Sequence, residues 1–278
     1  MRKPVVPFDA ADSTLLNVFD DLPLWSAPFG LKLLDQVKLK GRMNVLDIGF
    51  GSGFPLLELA QRLGDSCRVF GIDPWTAGIQ RARTKADQMQ VENVEVIEGV
   101  AEQMPFADEF FDLIVSNNGI NNVSDQSKAV AECARISKRG GQFLLTVNLP
   151  GTMREFYNVY EETLASTGRL EEVRRLNEHI AAKRKPTSFM MELLTKHGFA
   201  IVKATEDSFT MRFLDGSALL NHFFLRLAFV EPWQQILAAE DVPIIFDRLE
   251  ENLNTLARQQ GELRLTIPFV CIDSTRTY

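Results

Sequence analysis

Short apolar runs alternate with amphipathic stretches from about residue 43 to residue 150. The runs MNVLDIGF, CRVFGID, VEVIEG, FDLIVSNN and QFLLTVNL have the length and composition of buried strands. Between them apolar residues recur at helical spacing, as at Leu56, Leu59, Ala60 and Leu63. Strands separated by helices need right-handed crossovers, so this pattern predicts an α/β, doubly wound fold with a mostly parallel, Rossmann-like sheet of seven strands.

Boundary signals place the elements along this segment. Pro55 and Gly64 bracket the first helix, and Asp73 with Pro74 is expected to cap the second. Ser124 or Asp125 is expected to cap a third helix that runs through Ile136 and that the glycines at 140 and 141 would stop.

Outside residues 43–150, strand-like runs and amphipathic stretches no longer alternate regularly. We expect an N-terminal helical cap over residues 1–40, a core domain over 41–150 and a further part over 151–278. This last part would contain helical additions at about 152–183 and 216–260. It would also contain the remaining strands, ending in LRLTIPFVCID as an antiparallel last strand.

Composition narrows the class of protein. The chain has 278 residues, of which 45% are hydrophobic, and its formal charge of −7 offers no attraction for nucleic acid. Three cysteines without a CxxC pair argue against a disulfide framework and a metal site. The start MRKPVVPFDAAD lacks the apolar core of a secretory signal, and no apolar run is long enough to span a membrane. We therefore expect a cytoplasmic protein that binds neither nucleic acid nor a metal.

The turn VLDIGFGSGFP, residues 45–55, has the spacing GxGxG rather than GxGxxG, and no Lys-Ser or Lys-Thr pair follows it. The carboxylate at Asp47 disfavours a phosphate ligand and favours one with a positive amine. Asp73 ends the second strand about 20 residues further on, the spacing of an acid that binds ribose hydroxyls. Together these residues describe a nucleoside without phosphate and with a cationic amino-acid tail.

The combination VLDIGFGSG, GIDP and GVAEQMPFADEFFDLIVSNN resembles the class I S-adenosylmethionine-dependent methyltransferases, in the ubiquinone/menaquinone-type branch. The resemblance is strong over about residues 25–150 and weak over 186–213. It implies S-adenosylmethionine as the cofactor. The residues that it implies for the methionine part are Asp47, Gly49, Gly51, Gly53 and Asn117; for the ribose, Asp73; and for the adenine, Trp75, Ala101 and Glu102.

Two positions depart from the family pattern. Val100 stands where many relatives have an acid that receives the adenine amino group, and valine accepts no hydrogen bond. Asn121 and Asn122 stand where relatives often have histidine. How adenine is held, and whether a general base acts, are therefore open.

The resemblance implies in-line methyl transfer to a small metabolite, and exclusion of water during transfer predicts a lid formed by the helical additions. Aromatic residues in these additions favour a hydrophobic or aromatic acceptor. No catalytic residue is assigned; His222, Tyr157 and Tyr160 are the candidates for a general base. The alternatives are a non-catalytic cofactor-binding or sensor protein and a protein or RNA methyltransferase. The acceptor, the methylated atom and the oligomeric state stay open.

Overall fold

The computed structural model describes residues 24–278, and within this range seven strands form one mixed sheet. The strands are β1 (Asn44–Ile48), β2 (Arg68–Asp73), β3 (Val94–Glu98), β4 (Phe111–Asn117), β5 (Ser137–Asn148), β6 (Phe199–Phe213) and β7 (Leu263–Arg276). Their order across the sheet is β3-β2-β1-β4-β5-β7-β6. The first five strands pair in parallel and β7 pairs antiparallel to β5, which confirms the expected fold class.

Helices connect the parallel strands, as the sequence predicts. The helices are α1 (Ala27–Leu34), α2 (Leu56–Leu63), α3 (Thr76–Gln88), α4 (Gln126–Ile136), α5 (Arg154–Ser166), α6 (Leu170–Lys183), α7 (Thr187–Lys196), α8 (Gly216–Leu220), α9 (Phe223–Ala228), α10 (Val230–Gln234) and α11 (Val242–Gln260). A 3₁₀ turn covers Gly119–Asn122. The predicted N-terminal cap contains α1, while its residues 1–23 lie outside the described range.

The described chain divides into two compact units. The sheet unit contains residues 24–148, 186–207 and 269–278, and the helical unit contains residues 149–185 and 208–268. The second sequence-based boundary, at residues 150 and 151, lies next to the change of unit at residue 149. Two segments of the part from 151 to 278 belong to the sheet unit, in the part where the remaining strands were expected.

Each unit has a core of its own. In the sheet unit, apolar residues from one face of β1 and β2, such as Val45 and Val69, are buried together with Leu59 of α2. In the helical unit, the rings of Phe156 and Trp233 stack with their centroids 4.0 Å apart. Burial of large apolar and aromatic side chains on this scale is the main source of stability in each unit.

Two local predictions differ from the structure. Helix α4 ends at Ile136 as expected, but Gly140 and Gly141 do not form its stop, because both lie within β5. The pairing of β4 with β5 is irregular at this point, and Gly140 has φ +74°, a conformation that favours glycine. Helix α3 begins at Thr76 with Trp75 at its N-cap position, so Asp73 and Pro74 do not form the expected cap.

Candidate functional site

The loop after β1 is built from glycines whose backbone has positive φ. Gly49, Gly51 and Gly53 have φ values of +75°, +57° and +115°. A Cβ at Gly49 would lie 2.7 Å from the Cα of Gly119, in the turn after β4. Side chains are therefore excluded where the two loops meet, and the backbone lies open for close approach by a ligand.

Asp73 fixes this loop from the neighbouring strand. The backbone N–H of Gly51 donates to Asp73 Oδ2 at 2.8 Å, and the N–H of Trp75 donates to Oδ1 at 2.8 Å. Burial raises the pKa of Asp73, while the two N–H groups act in the opposite direction. Because a carboxylate has about four lone-pair positions, both oxygens keep capacity to accept a further hydrogen bond.

A cavity of about 350 Å³ opens where the first four parallel strands end. This volume lies within the range of small-molecule sites, and the carboxyl ends of parallel strands are where α/β proteins bind ligands. Its walls include Gly49, Gly51, Asp73, Val100, Ala101, Glu102, Gly119 and Ser124. Five of the residues implied by the resemblance thus meet at one cavity.

The wall formed after β3 combines an apolar surface with an anchored carboxylate. Val100 is 46% exposed and Ala101 is buried. Glu102 accepts hydrogen bonds from the backbone N–H groups of Ser124 at 2.7 Å and Asp125 at 3.1 Å. The Glu102 carboxylate therefore holds the loop before α4 in place, a role that the resemblance did not imply.

Asp47 lies behind the glycine loop and not in the cavity wall. Its side chain is 0% exposed, and neither carboxylate oxygen has a hydrogen-bond donor among residues 24–278. Burial raises the pKa of Asp47 well above its usual range and the nearby Asp73 carboxylate raises it further, while the backbone N–H of Leu56 acts weakly in the opposite direction. Buried carboxyl groups without partners are rare and are a frequent feature of functional sites.

Three other predicted contacts also lie outside this cavity. Gly53 approaches α2, since a Cβ there would lie 3.0 Å from Leu57 Cδ1. Asn117 donates to the carbonyl of Ser26 at 3.1 Å and accepts from the hydroxyl of Thr146 at 2.9 Å. The Trp75 ring covers Gly78, where a Cβ would lie 2.7 Å from the indole.

The three candidates for a general base are all in the helical unit. Tyr157 accepts a hydrogen bond from the Trp233 indole at 3.1 Å, and Tyr160 donates to the Trp233 carbonyl at 2.9 Å. Burial raises the pKa of both phenols. His222 packs edge-on against Phe213, with ring centroids 5.4 Å apart, and burial lowers its pKa. The tyrosine contacts are those of a packed core.

Gly119 and Ser124 are cavity residues that the sequence analysis did not identify. They follow β4, about 70 residues after the glycine loop, so no spacing rule connects the two segments. The only sequence signal was Gly119 itself, a glycine directly after SNN at the end of a predicted strand.

Residues 24–278 contain neither a candidate metal site nor a candidate membrane span. No group of three or more His, Cys, Asp or Glu side chains in this range is placed to hold a metal ion. Over the same residues, no helix has both the length and the apolar character that crossing a bilayer requires.

Comparison with protein families gives a match over the centre of the sheet unit. Residues 46–145 match the family model described as a methyltransferase domain. This segment begins within β1 and ends within β5, so it contains the glycine loop, Asp73 and the wall after β3.

Curated relatives match over the same part of the chain. An uncharacterized methyltransferase of Bacillus subtilis, YcgJ, is 34% identical over 113 residues, which are 41% of this chain and 44% of the relative. A demethylmenaquinone methyltransferase of Listeria monocytogenes is 31% identical over 121 residues, which are 42% of this chain and 51% of the relative. The chain thus spans about half the length of the curated relatives it matches.

Solved structures extend the likeness to most of the fold. The YcgJ protein from Bacillus subtilis gives a TM-score of 0.56 at 19% identity, covering 90% of this chain and 98% of the other. The geranyl diphosphate C-methyltransferase from Streptomyces coelicolor gives 0.55 at 15% identity, covering 90% and 78%. At such identities the structural likeness is evidence for the fold alone. The likeness to methyltransferases in sequence rests on the matches described above. Over residues 46–145 the chain therefore matches a methyltransferase domain, and in the same part of the chain its sequence is similar to methyltransferases, among them a demethylmenaquinone methyltransferase.

Proposed function

We propose that this protein binds S-adenosylmethionine in the cavity at the carboxyl ends of β1 to β4 and transfers its methyl group to a small, hydrophobic or aromatic metabolite. The observation that carries the proposal is the meeting of the glycine loop, Asp73 and the wall after β3 around one cavity, inside a segment that matches a methyltransferase domain.

The nucleoside part of the cofactor fits the lining of the cavity. Asp73 retains lone pairs for the two ribose hydroxyls while it holds Gly51. On the adenine side, Val100 and Ala101 present apolar surface, so stacking and apolar contact support the base there. Glu102 is occupied by two backbone N–H groups, which favours a positioning role for its carboxylate over a direct adenine contact.

The glycine loop and Asp47 would bind the amino-acid end of S-adenosylmethionine. Gly49 and Gly51 allow close approach of the backbone, and Asp47 places an acid directly behind them. An ammonium group near Asp47 would favour its ionised form, because an opposite charge lowers the pKa of a buried carboxyl.

S-adenosylmethionine supplies an electrophilic methyl group when bound. The protein then has to hold the acceptor in line with it and keep water out, and proximity of this kind lowers a barrier by about 7–11 kcal/mol. We infer that positioning dominates in this protein, since the hydroxyls of Tyr157 and Tyr160 are both engaged with Trp233 inside the helical core.

The class of acceptor is inferred from two observations. The Listeria relative is named for demethylmenaquinone, and the Streptomyces structure was solved with geranyl diphosphate; both names denote small molecules with large apolar parts. The chain's formal charge of −7 disfavours a nucleic-acid acceptor.

Cofactor binding is tested by titrating S-adenosylhomocysteine into the purified protein in a calorimeter. We expect measurable affinity, and a gain in unfolding free energy of about 2.7 kcal/mol at one hundred times the dissociation constant. Asp73→Asn should weaken binding about 10- to 100-fold, because a charge-assisted acceptor becomes a neutral one. Glu98→Gln is the matched control: this exposed acid ends β3 and binds Thr76, outside the cavity wall.

Transfer is tested separately, with methyl-labelled S-adenosylmethionine and a cell extract. Label in the fraction soluble in organic solvent supports a hydrophobic small-molecule acceptor. Label in precipitated protein or RNA would support a macromolecular acceptor instead. Binding of S-adenosylhomocysteine without any transfer would favour a sensor, and absence of binding at millimolar concentration would refute the proposal as a whole.

A further inference from the structure

A further cavity lies at the opposite end of the parallel strands from the cavity proposed for S-adenosylmethionine. It has a volume of about 270 Å³ and opens where β1, β4 and β5 begin. Its wall is formed by the loop before β1, the first residues of β4 and the irregular start of β5. We call it the basic cavity. All of its wall residues belong to the sheet unit, and none of them lines the cavity proposed for the cofactor.

The wall of the basic cavity carries a concentration of positive charge. One acidic side chain, Asp112, faces five basic ones, which are Lys38, Lys40, Arg42, Lys138 and Arg139. Like charges gathered around one space repel one another, and a bound anion removes that repulsion. The chain as a whole has a formal charge of −7, so the basic cavity is a local positive site on an acidic protein.

Three of the five cations have carboxylate partners. Lys138 Nζ lies 2.8 Å from Asp112 Oδ2, the one acid of the wall. Lys38 and Arg139 pair with carboxylates outside the wall, at 3.5 Å in each case, and at least half of each basic side chain is exposed. Exposed pairs of this length hold a cation weakly, so Lys38 and Arg139 remain available to a stronger anion.

The other two cations, Lys40 and Arg42, have no carboxylate partner within residues 24–278. The backbone of Arg42 is left-handed, with φ +62°. This conformation is unfavourable for a residue with a Cβ, and residues held in it recur at ligand sites. The loop thus carries an unpaired guanidinium at a position where glycine would fit with less strain.

Hydrogen bonds hold the wall of the basic cavity in place. The Gln142 side chain of β5 accepts from the backbone N–H of Lys38 at 3.1 Å and donates to the carbonyl of Gln36 at 3.0 Å. The buried thiol of Cys67 donates to the carbonyl of Lys40 at 3.3 Å. The loop before β1 is therefore fixed to β5 and to the start of β2, so its backbone needs no ordering when a ligand binds.

We propose that the basic cavity binds a small metabolite that carries a diphosphate or triphosphate group. A guanidinium binds two phosphate oxygens through its planar fork, and lysine ammonium groups bind phosphate as point charges. Consecutive phosphates place several negative charges within a short length. Five cations around one small space match such a group better than they match a single carboxylate.

The shape of the site favours a small ligand over an anionic membrane or a nucleic acid. The volume is slightly below that of sites for drug-sized molecules, which suits a compact anionic group. An extended anionic surface would also face the acidic remainder of the chain, which repels it. The site is independent of the proposed function, because the two cavities share no wall residue.

The test is a calorimetric titration of tripolyphosphate into the purified protein at low ionic strength. We expect one site that fills below millimolar concentration, with an affinity that falls as sodium chloride is added. Lys40→Gln and Arg42→Gln should each weaken binding about tenfold, because each removes a charged donor. Glutamine at position 42 keeps a Cβ in the left-handed conformation, so urea unfolding should show both variants folded as the wild type.

A control variant and two further probes complete the design. Lys203→Gln removes the same charge from an exposed position of β6 outside the wall and should leave the affinity unchanged. Citrate should bind more weakly than tripolyphosphate, because its carboxylates carry less charge in a similar volume. No binding of tripolyphosphate at millimolar concentration, equal affinity for citrate, or an unchanged affinity in both cavity variants would overturn the inference. Binding of phosphatidylglycerol vesicles without binding of tripolyphosphate would overturn it in favour of a membrane surface.

Discussion

At the scale of single residues, Asp47 is the carboxyl group of the candidate site whose negative charge is least stabilised by its surroundings. It is fully buried, without a hydrogen-bond donor within residues 24–278, and the Asp73 carboxylate is near enough to oppose its ionisation. The folded protein thus favours the protonated acid, while the unfolded chain ionises it at its ordinary pKa.

Stability should therefore depend on pH through Asp47. Between the ordinary pKa of an aspartate, about 4, and the raised value in the folded protein, the folded state binds one more proton than the unfolded state. Stability is then lost as pH rises, by up to about 1.4 kcal/mol per pH unit in this window. A side-chain amide at this position cannot ionise, so we expect Asp47→Asn to equal the wild type near pH 4 and to exceed it increasingly toward pH 8. Urea unfolding of the ligand-free protein at several pH values measures this, and two parallel stability curves would contradict it.

The sequence was informative about which polar residues end the strands, but not about what they contact. Asp73 was expected to bind a ribose and cap a helix; in the structure the helix begins at Thr76, and the Asp73 carboxylate accepts from the backbone N–H groups of Gly51 and Trp75. Glu102 was expected beside the adenine, yet its carboxylate binds two backbone N–H groups from a loop about 20 residues away. Such contacts depend on how distant segments meet, which spacing along the chain does not encode.

At the scale of elements, the loops after β1 and β4 meet with no room for side chains. A Cβ at Gly49 would lie 2.7 Å from the Cα of Gly119, and one at Gly119 would lie 2.2 Å from the carbonyl oxygen of Ile48. The contact is between backbone atoms, so no flexible side chain can move to relieve it.

This contact can be separated from backbone strain by two alanine substitutions. Gly49 and Gly140 have nearly the same φ, +75° and +74°, but a Cβ at Gly140 would meet nothing within 4 Å. Gly140→Ala should cost about 1–2 kcal/mol for the left-handed backbone alone. We expect Gly49→Ala to cost about 3 kcal/mol or more, since backbone must also move. Chemical denaturation of the two ligand-free variants measures their losses in unfolding free energy. Equal losses would mean that the loops after β1 and β4 move apart at little cost.

The element pattern was predicted well where apolar periodicity is strong. Strands β1 to β5 and helices α2 to α4 follow from alternation of apolar runs and amphipathic stretches. The prediction was wrong at Gly140 and Gly141, because glycines that end a helix and glycines in an irregular strand look alike in sequence. Only the pairing of β4 with β5 shows that Gly140 and Gly141 belong to a strand.

At the scale of the whole molecule, the chain builds two cores from interleaved segments. The sheet unit takes in residues 186–207 and 269–278 after the helical unit has begun at 149. Sequence analysis expected the remaining sheet strands within residues 151–278, but no motif in β6 or β7 indicates which segments share each core. The lid role expected for segments 152–183 and 216–260 stays a prediction.

The helical core provides a test of whether its tyrosines are structural. Tyr160 is fully buried and donates to the carbonyl of Trp233 at 2.9 Å. We expect Tyr160→Phe to lower the unfolding free energy by about 1–3 kcal/mol, because a buried carbonyl loses its donor, and to leave the affinity for S-adenosylhomocysteine unchanged. Tyr278→Phe, at a side chain that is 66% exposed, is the control and should leave stability unchanged. Unaltered stability of Tyr160→Phe would remove the case for a structural role.

The strand order has a consequence for how the protein is made on the ribosome. β6 is synthesised before β7 but lies beyond it in the sheet, because β7 occupies the place next to β5. Until residues 263–276 leave the exit tunnel, β5 is an uncovered sheet edge and β6 is without its neighbour. A nascent chain stalled before this point would expose an apolar edge that invites pairing with other chains. Completion of the sheet therefore waits for the final strand, however early the glycine loop has formed.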